Sequence, residues 1–324
     1  MPSAIVMHTI GGPEVLRLES VDVPPPQSHE VLIRHTAIGV NYHDAYVRSG
    51  LYRTLPLPGI PGMEAVGVVE AVGTAVTDFQ CGDRVAYLTK SYGAYAEQRT
   101  IDASALVSLP TNVSDDVAAS SLLKGLTAQV LVENVYAVRA NDWVLVHAAA
   151  GGVGSLLCQW ANHLGANVIG TVGSPKKVEV AIAAGCSHVI QYREEDFVDR
   201  VRQITGGEGV QVAYDAVGKD TFFGSLECLA PCGHLANFGQ ASGLVPPFEV
   251  SRLFPKSNSL SRPSVFQHLR TTQKLRNAAD SLFRVFSQGV LKAPASVVFP
   301  LHDAAKAHWA LESRDRTQSI LLKP

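Results

Sequence analysis

Two stretches of this 324-residue chain carry residue types and spacings that could do chemistry. The first is Ala148-Ala149-Ala150-Gly151-Gly152-Val153-Gly154, which follows the apolar run Trp143–Val146. Gly151 would let the backbone approach a pyrophosphate, and Gly154 would let a new helix pack tightly on its sheet. The free N–H groups of that helix start would then receive the phosphate charge. In the G-x-G-x-x-G frame the first glycine is Ala149, so an ordinary strand–helix turn stays open as the plainer alternative. About 20 residues further on, an NAD-binding chain would offer Asp or Glu to the ribose hydroxyls. Here the chain reads Gly173-Ser174-Pro175-Lys176-Lys177. No acid is present to repel a 2′-phosphate, and a hydroxyl and two ammonium groups are there to bind one. This favours NADP over NAD, against the alternative of a solvated helix start with surface lysines. The second stretch runs from Asn41-Tyr42-His43-Asp44 through Tyr46 to Tyr52. Three tyrosines among polar side chains in so short a segment exceed what a connector needs, although a capped surface helix would also explain them.

Both stretches need elements to hold them. The spacing of Val153, Leu156, Leu157, Trp160 and Leu164 predicts a helix with one buried face after the glycines. Strands are expected at Trp143–His147, Asn167–Val172, His188–Gln191, Val210–Tyr214 and Leu235–Phe238, with helices between them. One of those helices spans Asp196 to Thr205 and turns Phe197, Val201 and Ile204 inward. Pro175 suits the start of another helix and Gly185 its end. Alternating strands and helices indicate an α/β class, a doubly wound parallel sheet. Tyr192 would end its third strand, and Phe238-Gly239 a late one at the same edge. Residues 1 to about 120 are β-rich, with runs at Val31–Ile38, Ala65–Val72 and Arg84–Leu88 separated by proline and glycine loops. Between the first two runs, Asn41 is positioned as an N-cap, Asp44 as the third helical residue and Gly50 as the stop. A late helix is expected over Gln273–Phe286 with Leu275, Leu282 and Phe286 in the core, and a strand at Ile320–Leu322.

Bulk properties exclude several classes. Net charge is −2, so no global field favours nucleic acid or an anionic membrane. Five scattered cysteines without C-x-x-C argue against a disulfide frame or structural zinc. No signal-like N-terminus and no membrane-length apolar run are visible, so a cytoplasmic protein is expected. Residues 250–279 contain basic residues but no acid, which suits a solvated face or, as an alternative, a phosphate or nucleic-acid role.

Ordered blocks then carry a resemblance over the whole chain. Gly11-Gly12-Pro13-Glu14-Val15-Leu16, Asn41-Tyr42-His43-Asp44, Tyr46 to Tyr52, Gly82-Asp83-Arg84-Val85 and Gly93-Ala94-Tyr95-Ala96-Glu97 belong to it. So do Lys124-Gly125-Leu126-Thr127-Ala128, His147 to Gly154, Tyr192 to Asp196 and Glu312-Ser313-Arg314. Together they resemble the zinc-free, zeta-crystallin-like quinone oxidoreductases of the medium-chain dehydrogenase/reductase superfamily. The resemblance implies a GroES-like catalytic domain from residues 1–124 and 261–324, and a Rossmann NADPH-binding domain from 125–260. It also implies an active site in the cleft between them and a homodimer joined through the Rossmann sheets. Zinc alcohol dehydrogenases of the superfamily place a cysteine where Asn41 stands and a histidine where Met63 precedes Glu64. Asn41 and Met63 cannot supply a thiolate and an imidazole, so no metal is expected.

By resemblance, Asn41, Asp44, Tyr46 and Tyr52 line the acceptor pocket, the tyrosines hydrogen bonding the quinone oxygens. Asn41 and Lys124 orient ribose or nicotinamide groups, with Thr127 beside the ring. Ala150, Gly151, Gly152 and Val153 take the pyrophosphate. Gly173, Ser174, Lys177 and Tyr192 surround the 2′-phosphate, and Phe238, Gly239, Ser264 and Val265 lie near the nicotinamide. The expected activity is NADPH-dependent quinone reduction. Reduction of activated C=C bonds in enals or enones is the alternative. A non-enzymatic RNA- or single-stranded-DNA-binding or crystallin-like role comes after both.

Overall fold

Short Val-, Ile- and Leu-rich runs that alternate with helices have to be buried on both faces, and a parallel sheet with helices on either side does this. In the computed structural model, which describes residues 1–313 and 316–324, six such strands pair in parallel. Arg314, the last residue of one family-like block, lies outside the described residues. Across the sheet the order is His188–Gln191, Asn167–Val172, Trp143–Val146, Val210–Asp215, Leu229–Asn237 and Ser259–Ser261. The chain therefore starts in the middle, builds outward to one edge, returns and builds to the other. That is the doubly wound order, and it leaves a crevice at the carboxyl end of the central strand Trp143–Val146. Leu145, Ile169, Ile190, Ala213 and Leu235 form the inner layer of the core, each fully buried.

The chain divides into two units. The unit holding the parallel sheet consists of Lys124–His268 and Gln288–Lys292. Residues 261–268 belong to it, contrary to the expected return to the other domain after 260. The cause is strand pairing: Ser259–Ser261 adds to Leu229–Asn237 as an edge strand, and the chain leaves only after the short helix Val265–His268. The strand expected at Leu235–Phe238 starts earlier, at Leu229, and stops at Asn237.

The other unit comprises Met1–Leu123, Leu269–Ser287 and Ala293–Pro324. Its seven-stranded sheet runs in the order Ser296–Pro300, Ser319–Lys323, Glu30–Val40, Glu64–Val72, Arg84–Leu88 and Leu106–Ser108, with Gln98–Asp102 pairing Glu30–Val40 from outside that path. Helix α1 (Tyr42–Ser49) connects Glu30–Val40 to Glu64–Val72, and helix α2 (Asp115–Gln129) carries the chain to the second unit. The late helix Thr272–Ser287 buries Leu275, Ala278, Ala279, Leu282 and Phe283. Phe286, expected in that stripe, is half-buried, because it sits on the last turn beyond the layer the stripe covers.

The acid-free stretch 250–279 does not form one basic face. Lys256 Nζ caps the Glu227 and Leu229 carbonyls at 3.1 and 2.6 Å, and Arg252 lies 5.1 Å above the Phe223 ring. Arg262 binds Asn237, while Arg276, in the other unit, pairs with Asp78 at 2.7 Å. Among the described residues no helix is long and apolar enough to cross a membrane.

Candidate active site

The glycine turn is built by backbone. Ala148 takes a left-handed φ of 54°, and Gly151 N–H closes back on its carbonyl at 2.8 Å. Helix α3 (Gly152–His163) starts there, with no side chain capping it and no acid in its first turn. Its leading N–H groups therefore carry the helix's partial positive charge toward whatever binds. A methyl on Gly154 would lie 2.2 Å from Ala148 O, so only glycine allows the helix this close. A methyl on Gly152 would meet Lys124 Cδ at 2.8 Å. The buried Lys124 stem thus lies along the first turn, with Thr127 one turn further along α2.

At the end of Asn167–Val172, Gly173, Ser174 and Tyr192 come together. A methyl on Gly173 would sit 3.3 Å from the Tyr192 hydroxyl oxygen. Ser174 precedes the turn Pro175–Lys177, and its buried Oγ has no hydrogen-bond partner in the protein. An unsatisfied buried hydroxyl costs about 1–3 kcal/mol and is repaid when a ligand oxygen arrives. Lys177 is half-buried in the same turn, and Lys176 points outward. Phe238 and Gly239 both donate backbone N–H to Asp215 O, at 2.9 and 3.2 Å. Arg262 ties down the Gly239 carbonyl at 2.8 Å and Asn237 Oδ1 at 2.6 Å. Ser264, exposed, and Val265, half-buried, open the helix Val265–His268.

The first unit uses side chains instead. Asn41 caps α1 in extended conformation, its N–H donating to Asp44 Oδ2 at 2.8 Å, and Gly50 ends the helix at φ 81°. That Asp44 oxygen also accepts the Tyr95 hydroxyl at 3.1 Å, and Asp44 is only 1% exposed. Tyr95 stands 3.0 Å from His308 Nε2, and His308 Nδ1 stands 3.0 Å from Arg48 Nη1. A guanidinium can only donate, so His308 Nδ1 accepts and Nε2 carries the proton. The order of donation is then Arg48 to His308 to Tyr95 to Asp44. Arg48 also grips Glu312 through both nitrogens, at 3.1 and 3.0 Å. Burial, then the Arg48 charge, pushes His308 down to about 3. Burial and the Asp44 carboxylate hold the Tyr95 hydroxyl well above the usual phenol range. Asp44 is thus placed as a support for α1.

Where zinc-dependent chains would hold their metal, Asn41 Nδ2 donates to Glu64 Oε1 at 2.7 Å, and Met63 is buried. Glu64 Oε2 accepts the Leu123 N–H at 2.7 Å. Among the described residues no group of three His, Cys, Asp or Glu side chains could hold a metal.

Tyr46 and Tyr52 meet edge to face with ring centres 5.2 Å apart, and the His43 ring lies 5.3 Å from that of Tyr52. His43 Nε2 is 3.1 Å from the Tyr92 hydroxyl, which also bonds Thr54 Oγ1. Burial pushes His43 down to about 4, so its imidazole is neutral. Sequence reasoning missed Tyr92, Thr54, Tyr95 and His308. Tyr92 carries a left-handed φ of 53°, which the sequence signals only through the neighbouring Gly93. His308 lies 213 positions from Tyr95, a distance no local pattern bridges.

Residues 152–283 match the family described as zinc-binding dehydrogenase, and residues 27–111 match the alcohol dehydrogenase GroES-like domain. The chain is 42% identical to Quinone oxidoreductase 1 of Escherichia coli (strain K12) over 327 residues, covering all of both. It is also 42% identical to the 2-haloacrylate reductase of a Burkholderia species, covering all of this chain and 99% of that one. The crystal structure of Escherichia coli quinone oxidoreductase complexed with NADPH superposes with a TM-score of 0.95 at 42% identity, covering 99% of this chain and all of the other. With a parallel sheet in the order the fold requires, a GroES-like unit and full-length relatives, this chain belongs to the quinone oxidoreductases of the medium-chain dehydrogenase/reductase superfamily.

Proposed function

We propose that this chain reduces quinones with NADPH, without zinc. The observation that carries the reading is the buried, unpartnered Ser174 Oγ beside Gly173 and the Tyr192 hydroxyl, with Lys177 in the same turn and no acid among them. These groups fit a 2′-phosphate: two hydroxyls to donate, one ammonium to neutralise, and a glycine that leaves room. Ala150, Gly151, Gly152 and Val153 receive the pyrophosphate on the start of α3, where Gly154 removes the obstructing methyl. Lys124 and Asn41 hold ribose or nicotinamide groups, Thr127 lies beside the ring, and Phe238, Gly239, Ser264 and Val265 border it.

When bound, NADPH supplies a hydride from its nicotinamide. A quinone needs little carbonyl activation, because gaining two electrons makes it aromatic, so the protein's task is to orient and to exclude water. Tyr46 and Tyr52 are the hydroxyls for the quinone oxygens. The quinone oxidoreductase relatives at full length support the same reading. The kinship with 2-haloacrylate reductase favours reduction of activated C=C bonds as the second reading. A panel of quinones and enones assayed with NADPH separates the two by the larger kcat/KM.

The test of the cofactor reading is Ser174→Asp. A carboxylate at this position repels a 2′-phosphate, so the NADPH-over-NADH ratio of kcat/KM should fall on the order of 30-fold or more. An unchanged ratio means the phosphate binds elsewhere.

We also read the chain as a cytoplasmic homodimer. All five cysteines are free, including Cys158 and Cys186 with sulfurs 3.5 Å apart. Val250 and Phe254, 73% and 86% exposed, lie close in sequence to the edge strand Ser259–Ser261. Sedimentation of the purified chain tests the dimer.

A further inference from the structure

We infer that Glu64 is a positioning residue that locks the Asn41 amide in one orientation, so that this amide meets its ligand as a hydrogen-bond donor. The inference rests on the assignment of Asn41 to the nicotinamide side of the reduced cofactor. Glu64 is 0% exposed, and its carboxylate accepts from Asn41 Nδ2 and from Leu123 N–H, both at 2.7 Å. Gly39 makes room for it: a methyl there would lie 2.3 Å from Glu64 Oε1.

An amide can in general be turned either way, and here only one way works. With Nδ2 toward Glu64, Asn41 Oδ1 faces the Asp44 N–H in the capping box of α1. Turning the amide over would set oxygen against the Glu64 carboxylate and N–H against N–H at the cap. Glu64 therefore decides which atom of Asn41 faces outward: one N–H is committed to the carboxylate, and the second is the group offered to a ligand oxygen. A glutamine cannot replace it. Its own N–H₂ must point at Leu123 N–H or at Asn41 Nδ2, and each choice opposes two donors. Only an acceptor on both oxygens satisfies both neighbours at once. Leu123 also directly precedes Lys124, so the same carboxylate holds the chain entering that residue.

The experiment compares Asn41→Ala, Glu64→Gln and the double variant Asn41→Asp/Glu64→Gln by thermal unfolding and by fluorescence titration with NADPH. In the double variant, the new carboxylate at position 41 accepts from the new amide at position 64 and from the N–H at the cap. The carbonyl of that amide accepts from Leu123 N–H. All of these bonds are rebuilt, but position 41 no longer presents an N–H. Glu64→Gln should raise the NADPH Kd about tenfold. The double variant should recover the unfolding temperature while leaving the affinity about tenfold weak. If it recovers both, Glu64 only stabilises the fold and the inference is overturned. Parent-like affinity in Glu64→Gln overturns it too. Should Glu64→Gln fail to fold, the double variant decides alone by the same split. Asn41→Ala isolates the underlying assignment: parent-like affinity there means Asn41 does not touch the cofactor, whatever Glu64 does.

Discussion

The turn at Gly151–Gly154 and the network around Asp44 prepare a site in opposite ways. The turn works by leaving things out. It has no capping side chain, no acid and no Cβ at Gly154, so backbone N–H groups are the functional atoms. The network works by putting things in: three carboxylates, an imidazole, a phenol, an amide and a guanidinium, all buried but the Glu312 carboxylate. A site made of backbone tolerates side-chain changes wherever there is room and none where there is not. A site made of buried polar groups depends on every member, because each lost partner leaves another unsatisfied.

The sharpest way to break the turn is Gly154→Val. Its first carbon would collide with Ala148 O at 2.2 Å, and neither α3 nor the central strand can yield. Calorimetric unfolding should show a loss of about 3 kcal/mol, and cofactor titration at least a roughly tenfold weaker Kd. Parent-like values would show that the turn is softer than its geometry says.

The buried imidazoles of the first unit, His308 of the network with His35 and His43 outside it, should reveal themselves through pH. Burial holds His35 and His43 down to about 4 and His308 to about 3. In the unfolded chain each titrates near 6.5, so below about that pH the unfolded state binds more protons. Their contribution is complete above about pH 6.5 and is lost as the pH falls toward 4 and 3. Chemical denaturation should show a decline of a few kcal/mol between about pH 7 and pH 4. His308→Gln should cost about 2 kcal/mol at neutral pH yet flatten that slope. A slope identical to that of the parent would remove His308 from the account. Smallest is Tyr92→Phe, which takes the hydroxyl from His43 and Thr54 at about 1 kcal/mol. Acceptor kcat/KM should change several-fold with NADPH affinity untouched; a change confined to NADPH would place this ring elsewhere.

The same contrast explains what could be read beforehand. The turn, its strand and α3 are continuous in sequence, and each glycine has a steric reason that survives translation into a one-letter string. The α1 cap was equally legible, since Asn41, Asp44 and Gly50 act within one helix. Tyr192 could be placed at the end of its strand and, by resemblance, around the same phosphate as Gly173; the fold adds that its hydroxyl packs directly against that glycine. The edge strand Ser259–Ser261 was missed because three residues carry no periodicity, and that moved a domain boundary to His268.

From sequence alone came the α/β order of the second unit, the glycine turn and the lack of an acid near Ser174, because each depends on neighbours within a few residues. Only the tertiary structure could join Arg48, His308, Tyr95 and Asp44, set Glu64 against Asn41, and leave Ser174 Oγ unsatisfied. Hydrogen bonds across such separations exist only once the sheets have brought distant segments together. Whether a buried polar atom has found a partner depends on everything packed around it.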